Sequence, residues 1–175
     1  MKALARKLVS DVALPAAAKV LGSFSALSAT RSALPYLGPD GYKSVKLNMT
    51  EAQAVATGLL TGRRVADGCV TYRFVAGEGT GCESGDVVIG RDGRIQSISA
   101  TARALTREGA WNNMPLSDVK AIYPRLAQDE RQHHLFRTPV PGSEHASYTF
   151  AVNDDSVATR VSLHRNDAPG FVAVR

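Results

Sequence analysis

The side chains best equipped for chemistry are two cysteines and four histidines. Cys69 and Cys82 share one stretch, GCVTYRFVAGEGTGC, with twelve residues between them and Gly77, Gly79 and Gly81 in the interval. Neither a C-x-x-C redox pair nor a zinc site has that spacing and count. The stretch reads as a strand, a glycine-rich turn and a return strand, so the pairing expected is a Cys69–Cys82 disulfide across the hairpin. Closing such a loop contributes about 3 kcal/mol in the chain-entropy model and needs an oxidising compartment. The plainer alternative is two unrelated buried thiols. Of the histidines, His133 and His134 are adjacent, and on a strand they would point to opposite faces. No cysteine or carboxylate pattern joins them to His145 or His164. Surface or edge histidines are expected, with no metal site and no cofactor.

Other catalytic signatures fail. There is no G-x-S-x-G elbow. GEGTG at 77–81 lacks the Lys-Ser/Thr that follows a phosphate loop. Asp86, Asp92 and Asp118 read as turn and cap residues. Nothing gathers a nucleophile, a base and oxyanion donors. The expectation is a protein that is not an enzyme, with no catalytic residues.

The charge pattern narrows the partners. The formal net charge is +5, and Lys2, Arg6, Lys7, Lys19 and Arg31 set against Asp11 and Asp40 place three of those five charges in residues 1–40. The rest is nearly balanced, without the clustered basic stripe of a nucleic-acid face. No apolar run is long enough for a membrane-spanning helix. The first forty residues run from a basic cluster through an Ala/Val/Leu-rich stretch to small residues, the order of a secretory signal, with Ala26-Leu27-Ser28 as a cleavage site. The rival is an amphipathic leader helix carrying Leu4, Leu8, Val9 and Val12 on one side. The export signal is favoured because the cysteine pair independently asks for an oxidising compartment, so a secreted or cell-envelope location is expected. ALPYLGPDG, residues 33–41, reads as a linker.

The elements that would position these residues come in two sets. LNMTEAQAV at 47–55 and NNMPLSDV at 112–119 write the same Asn-Met helix entrance twice. Thr50 to Gln53 is a capping box. In the second copy Pro115 replaces Thr, and its fixed φ suits a first helical turn. Val119, Ile122 and Tyr123 then form an apolar stripe, stopped by Pro124. Three strand-like stretches follow each helix: 69–76, 82–90 and 93–101, then 132–138, 145–153 and 158–166. Val70, Tyr72 and Phe74 share one face, as do Tyr148, Phe150 and Val152. The opposite face carries polar residues, the signature of an antiparallel sheet covered on one side. The predicted fold is therefore α+β: two tandem helix-plus-meander repeats, helices on one face of the sheet and the other open. The predicted divisions are 1–40 for leader and linker, 41–104 and 105–167 for the repeats, and 168–175 for a tail. The binding residues predicted on the open face are Thr71, Arg73, Thr149, Arg160 and His164. The plainer alternative is that this face is only solvated.

The x-N-M-T-x-x-Q-A unit, the paired-cysteine hairpin and the second N-M-x-x-x-D-V copy resemble the tandem-repeat architecture of the secreted β-lactamase inhibitor protein. More distantly they resemble the G-M-T-x-x-Q-V helix entry of SmpA/OmlA-type envelope lipoproteins, and as a whole the chain resembles small exported bacterial proteins with that tandem-repeat fold. The likeness extends over roughly residues 36–167. It implies a non-enzymatic, inhibitor-like protein-binding module whose sheet faces a partner. The chain departs from the inhibitor in having a single tryptophan, Trp111, and no second cysteine pair. It has Asn48 and Asn113 where the lipoprotein motif has Gly, a mild change because Asn tolerates left-handed backbone. The expected partner is an unidentified, acidic protein and not nucleic acid. Membrane contact is expected only through the leader, if it is retained, and a structural envelope protein held by that leader is the alternative function.

Overall fold

The computed structural model describes residues 35–66, 68–78, 86–101 and 104–168. They belong to one compact unit that begins at Pro35, and they are mostly antiparallel β-sheet with two short helices.

The chain enters through three two-residue strands, β1 (Tyr36–Leu37), β2 (Gly41–Tyr42) and β3 (Val45–Lys46). With β8 (Leu105–Thr106) they form a small sheet in the order β3-β2-β1-β8. Part of the stretch read as a linker is therefore core. Leu37 and Tyr42 are fully buried, and the buried Tyr148 hydroxyl donates to the Leu37 carbonyl at 2.8 Å. Pro35, Pro39 and Asp40-Gly41 do break the helix pattern, but what they frame is a tight strand pair.

The large sheet starts after α1 (Glu51–Ala56) with β4 (Leu60–Ala66), β5 (Cys69–Phe74), β6 (Val87–Ile89) and β7 (Ile95–Ser99). It resumes after β9 (Met114–Pro115) and α2 (Leu116–Ile122) with β10 (Ala127–Gln128), β11 (Leu135–Pro139), β12 (Ala146–Val152) and β13 (Val157–Arg165). The order is β10-β11-β12-β13-β7-β6-β5-β4. Each helix is followed by four antiparallel strands, not the three expected, and the two sets meet last strand to last strand at β13·β7.

Helices of six and seven residues are too short to stand alone, so their entrances are tied down. The Asn48 amide donates to the Ile95 carbonyl, the Ile95 amide to Met49 and the Glu51 amide to Gly93. In the second entrance the Asn113 amide donates to the Ala158 carbonyl and the Leu116 amide to Ser156. Each entrance thus docks on the turn that leads into the last strand of its own meander. Asn48 and Asn113 hold φ of 67° and 72°, the left-handed backbone that Asn accepts at low cost. The capping box is present, with the Thr50 amide donating to Gln53 Oε1 at 2.9 Å and the Gln53 amide to Thr50 Oγ1 at 3.3 Å. Pro115 caps nothing with its side chain.

Cross-strand register sets the core. Tyr72, Val87, Ile98, Leu163, Tyr148 and Thr138 stand side by side across six strands. The neighbouring row brings Phe136, Phe150 and Val161 together. Tyr123, just past α2, packs its ring 5.8 Å from Tyr148 and 5.5 Å from Phe150. Val119 is fully buried in the same cluster.

Candidate functional site

Side chains alternate along a strand, so residues between the core positions project to the opposite face. Register groups them into rows. One runs Pro139, Ser147, His164, Ser97, Val88, Thr71, Arg64 across seven strands. The next runs Arg137, Thr149, Ser162, Ser99. Arg73 stands two positions from Thr71 on the same strand and face, and Arg160 two positions from Ser162. All five predicted binding residues therefore share one face. The β7·β13 seam crosses its middle, where Ser99 and Ser162 hydroxyls lie 3.0 Å apart.

Exposure along this face is uneven. Arg73 is exposed, and Thr71, Arg160 and His164 are half-buried. Thr149 is only 6% exposed, and Ser97, Ser99, Ser147 and Ser162 are buried with it. The expectation of a uniformly open face is corrected to this extent. Short hydroxyl side chains sit low between the longer side chains that flank them.

Two features of the centre stand out electrostatically. The Thr149 hydroxyl is buried and has no hydrogen-bond partner among the described residues, an arrangement that costs about 1–3 kcal/mol in general. His164 is held neutral. Desolvation pushes its pKa down to about 3, and repulsion from Arg137 and Arg160 adds to the effect. Arg137 was missed in the sequence, although it has the same parity on β11 that Thr149 has on β12. It is 8% exposed, and its Nε lies 3.1 Å from Asp129 Oδ2. Two backbone amides, of Arg131 and Gln132, also donate to Asp129 at 3.0 and 2.9 Å.

The other chemistry-bearing residues do not converge there. Cys69 is a free, half-buried thiol at the start of β5; Cys82 lies outside the described residues. His133 and His134 are exposed in the turn before β11, and His145 is exposed before β12. Among the described residues no cluster of three or more His, Cys, Asp or Glu side chains is placed to hold a metal ion, and no helix is long and apolar enough to cross a membrane. Ser117 and Lys120 have S-x-x-K spacing on α2, but both are exposed. The Ser117 hydroxyl donates to Asp118 Oδ1 at 3.2 Å, and the Lys120 ammonium lies 5.6 Å from the centre of the Phe136 ring. A cleft of about 600 Å³ lies by the first helix entrance, among Asp40, Asn48, Glu144, His145, Arg165 and Asp167. Its buried Arg165 binds Asn48 Oδ1 at 3.1 Å and Asp167 at 2.7 Å and also pairs with Asp92. The Arg165 hydrogen bond holds the Asp92 carboxyl below its usual pKa. That network joins the first helix entrance to β13 and is structural in character.

No protein-family model matches the chain, and no curated protein matches it in sequence. Among solved structures it is similar to the uncharacterized protein yfeY from Escherichia coli, at 22% identity and a TM-score of 0.45, over 74% of this chain and 99% of that one.

Proposed function

We propose that the chain is an exported, non-enzymatic protein-binding module, inhibitor-like in its mode, that presents the polar face of its large sheet to an acidic partner. The carrying observation is the row pattern. Residues from both meanders converge on one face, with a hydroxyl-rich centre and Arg64, Arg73, Arg137 and Arg160 around it. Arg is favoured at interfaces because its planar fork makes several hydrogen bonds while its stem stays apolar.

The same reading treats helix-plus-meander as a tandem repeat. In support, both entrances dock by the same amide pattern on the turn before the last strand. The asparagine of each entrance is left-handed, and so are Gly93 and Ser156 in the two receiving turns. A pseudo-symmetric joint at β7·β13 then brings one set of basic side chains from each copy to a single surface. Export rests on the leader pattern of residues 1–34, which lie outside the described residues.

The test is affinity capture from the producing cell's secreted fraction, comparing the natural chain with an Arg73→Ala/Arg160→Ala double variant. The double variant should fold, since surface changes usually stay within about 0.5 kcal/mol. It should lose most of the specific capture at low salt, with a smaller difference at high salt, where exposed charges are screened. Equal capture by a folded double variant at low salt would remove this face as the binding surface. Mass spectrometry of the mature N-terminus tests export separately, and loss of about the first 28 residues is the expected result.

A further inference from the structure

The polar face has one place where basic, neutral and hydroxyl groups converge. Thr149 on β12 stands directly opposite Arg137 on β11 and Ser162 on β13. Directly opposed residues bring their Cβ atoms to about 5 Å. Arg160 and His164 are the same-face neighbours of Ser162 on β13, and His164 is paired with Ser147. Arg137 and Arg160 both lie close enough to His164 for their charges to act on it.

We propose that Arg137, Thr149, Arg160 and His164 form a seat for a carboxylate, filled on binding by a Glu or Asp side chain from an acidic loop of the partner protein. The inference rests on reading the polar face as a protein-binding surface, and it fixes where on that face the partner is anchored.

Three observations carry it. The first is charge: among the described residues this face bears Arg64, Arg73, Arg137 and Arg160 against Asp86 and Asp129, so it favours an acidic visitor. The second is the Thr149 hydroxyl. Tyr148 and Phe150 on either side of it pack with the Tyr123 ring, so Thr149 projects to the polar face, where its buried oxygen has no hydrogen-bond partner among the described residues. A carboxylate oxygen accepts a hydrogen bond from such a hydroxyl. The third is the imidazole. Desolvation, with the charges of Arg137 and Arg160, holds His164 neutral, and a neutral imidazole carries one N–H donor. Guanidinium groups bind carboxylates through two parallel N–H···O bonds, so Arg160 on the half-exposed side can receive the incoming group. Arg137 Nε lies 3.1 Å from Asp129 Oδ2.

The test uses the full chain and a defined probe, an acetylated and amidated tetra-glutamate peptide, with the tetra-glutamine peptide as its neutral match. Titrations at about 50 mM salt are followed by the His164 side-chain NMR resonances. The glutamate peptide should shift His164 saturably with a Kd on the order of 1 mM, and should raise its pKa because an anion now offsets Arg137 and Arg160. The glutamine peptide should do neither. Arg160→Gln should weaken binding about fivefold or more, and Thr149→Val about threefold, in proteins whose spectra stay dispersed. No movement of His164 at about 10 mM peptide, or natural affinity in both variants, would overturn the seat. Inorganic phosphate that shifts His164 as strongly at equal concentration would overturn the acidic-loop assignment and leave a free-anion site. If Arg73→Ala/Arg160→Ala abolishes partner capture while the peptide leaves His164 unmoved, the binding reading stands and this seat falls.

Discussion

The fold should weaken in acid through His164, and the size of the effect can be worked out. In the unfolded chain the imidazole titrates near 6.5, whereas in the fold desolvation and the charges of Arg137 and Arg160 hold it down to about 3. A group whose folded pKa is depressed in this sense stays neutral in the fold while the unfolded chain takes up a proton. Its cost to stability is therefore absent above about pH 7 and grows as pH falls from 6.5 toward 3. At pH 5 linkage puts the loss at about 2 kcal/mol. That figure barely depends on how low the folded value lies, since a folded pKa of about 4 gives nearly the same number. Solvent at the half-buried ring reduces it, so a loss of about 1–2 kcal/mol is expected. Carboxylates held low by partners, such as Glu51 beside Arg63 and Asp92 beside Arg165, also lose stability in acid. The comparison must therefore be between natural chain and His164→Gln. Urea unfolding at pH 7.5 and pH 5.0 gives two stability differences between these proteins, and the variant should gain about 1–2 kcal/mol on the natural chain across that interval. A direct NMR titration should find no His164 midpoint above about pH 4.5 in the folded protein. A midpoint near 6.5, or a variant that tracks the natural chain at both pH values, would refute the claim that two arginines and desolvation hold this ring neutral.

Other expectations follow from the helix entrances and the thiol. Thr50→Ala should cost about 1 kcal/mol in urea unfolding, whereas Pro115→Ala has no side-chain cap to lose; an unchanged midpoint for Thr50→Ala would mean the box contributes nothing. Asn113→Ala should cost about 1–2 kcal/mol because its φ is 72°, and Asn113→Gly should cost much less; equal losses would place the cost in the side chain instead of the backbone. Cys69 should label with maleimide without prior reduction. It is a free thiol at the start of β5; a linked Cys69–Cys82 peptide in a non-reduced digest would overturn this expectation.

Part of this architecture is written locally. The Asn-Met entrances, the Thr50–Gln53 box and the Val119/Tyr123 stripe each depend on residues within one or two turns, so they can be read without knowing the fold. Alternation on β5 and β12 is similarly local, and it places Thr71, Arg73 and Thr149 opposite Tyr72 and Tyr148. What failed had a local cause in one strand and a long-range cause in another. The strand β4 hides because Gly62, at φ 65°, sits in a register shift between Thr61 and Arg64, and a bulge interrupts the period-two pattern. The strand β1 hides between prolines, and only its parallel pairing with β8 makes Leu37 core.

The burial of Thr149 follows the same logic one level higher. Its own strand says only which face it occupies. That it is shielded, and that Arg137 stands beside it, depends on β11, β12 and β13 lying side by side, and on the join with β7 that keeps β13 from being an edge. Strand alternation identifies a polar face; register decides which of its side chains act together. Arg73 and Arg160 have the right parity, but register sets them about 15 Å apart, across three strand spacings. A single carboxylate cannot bridge that distance. Arg137, Thr149 and Arg160 lie within two strand spacings, so the basic residues divide into one compact anchor and an outlying Arg73. Arg73→Ala alone should therefore weaken partner capture less than Arg160→Ala alone, at equal salt and equal folding. The reverse ranking in the same capture assay would put the anchor on the β5 side of the seam.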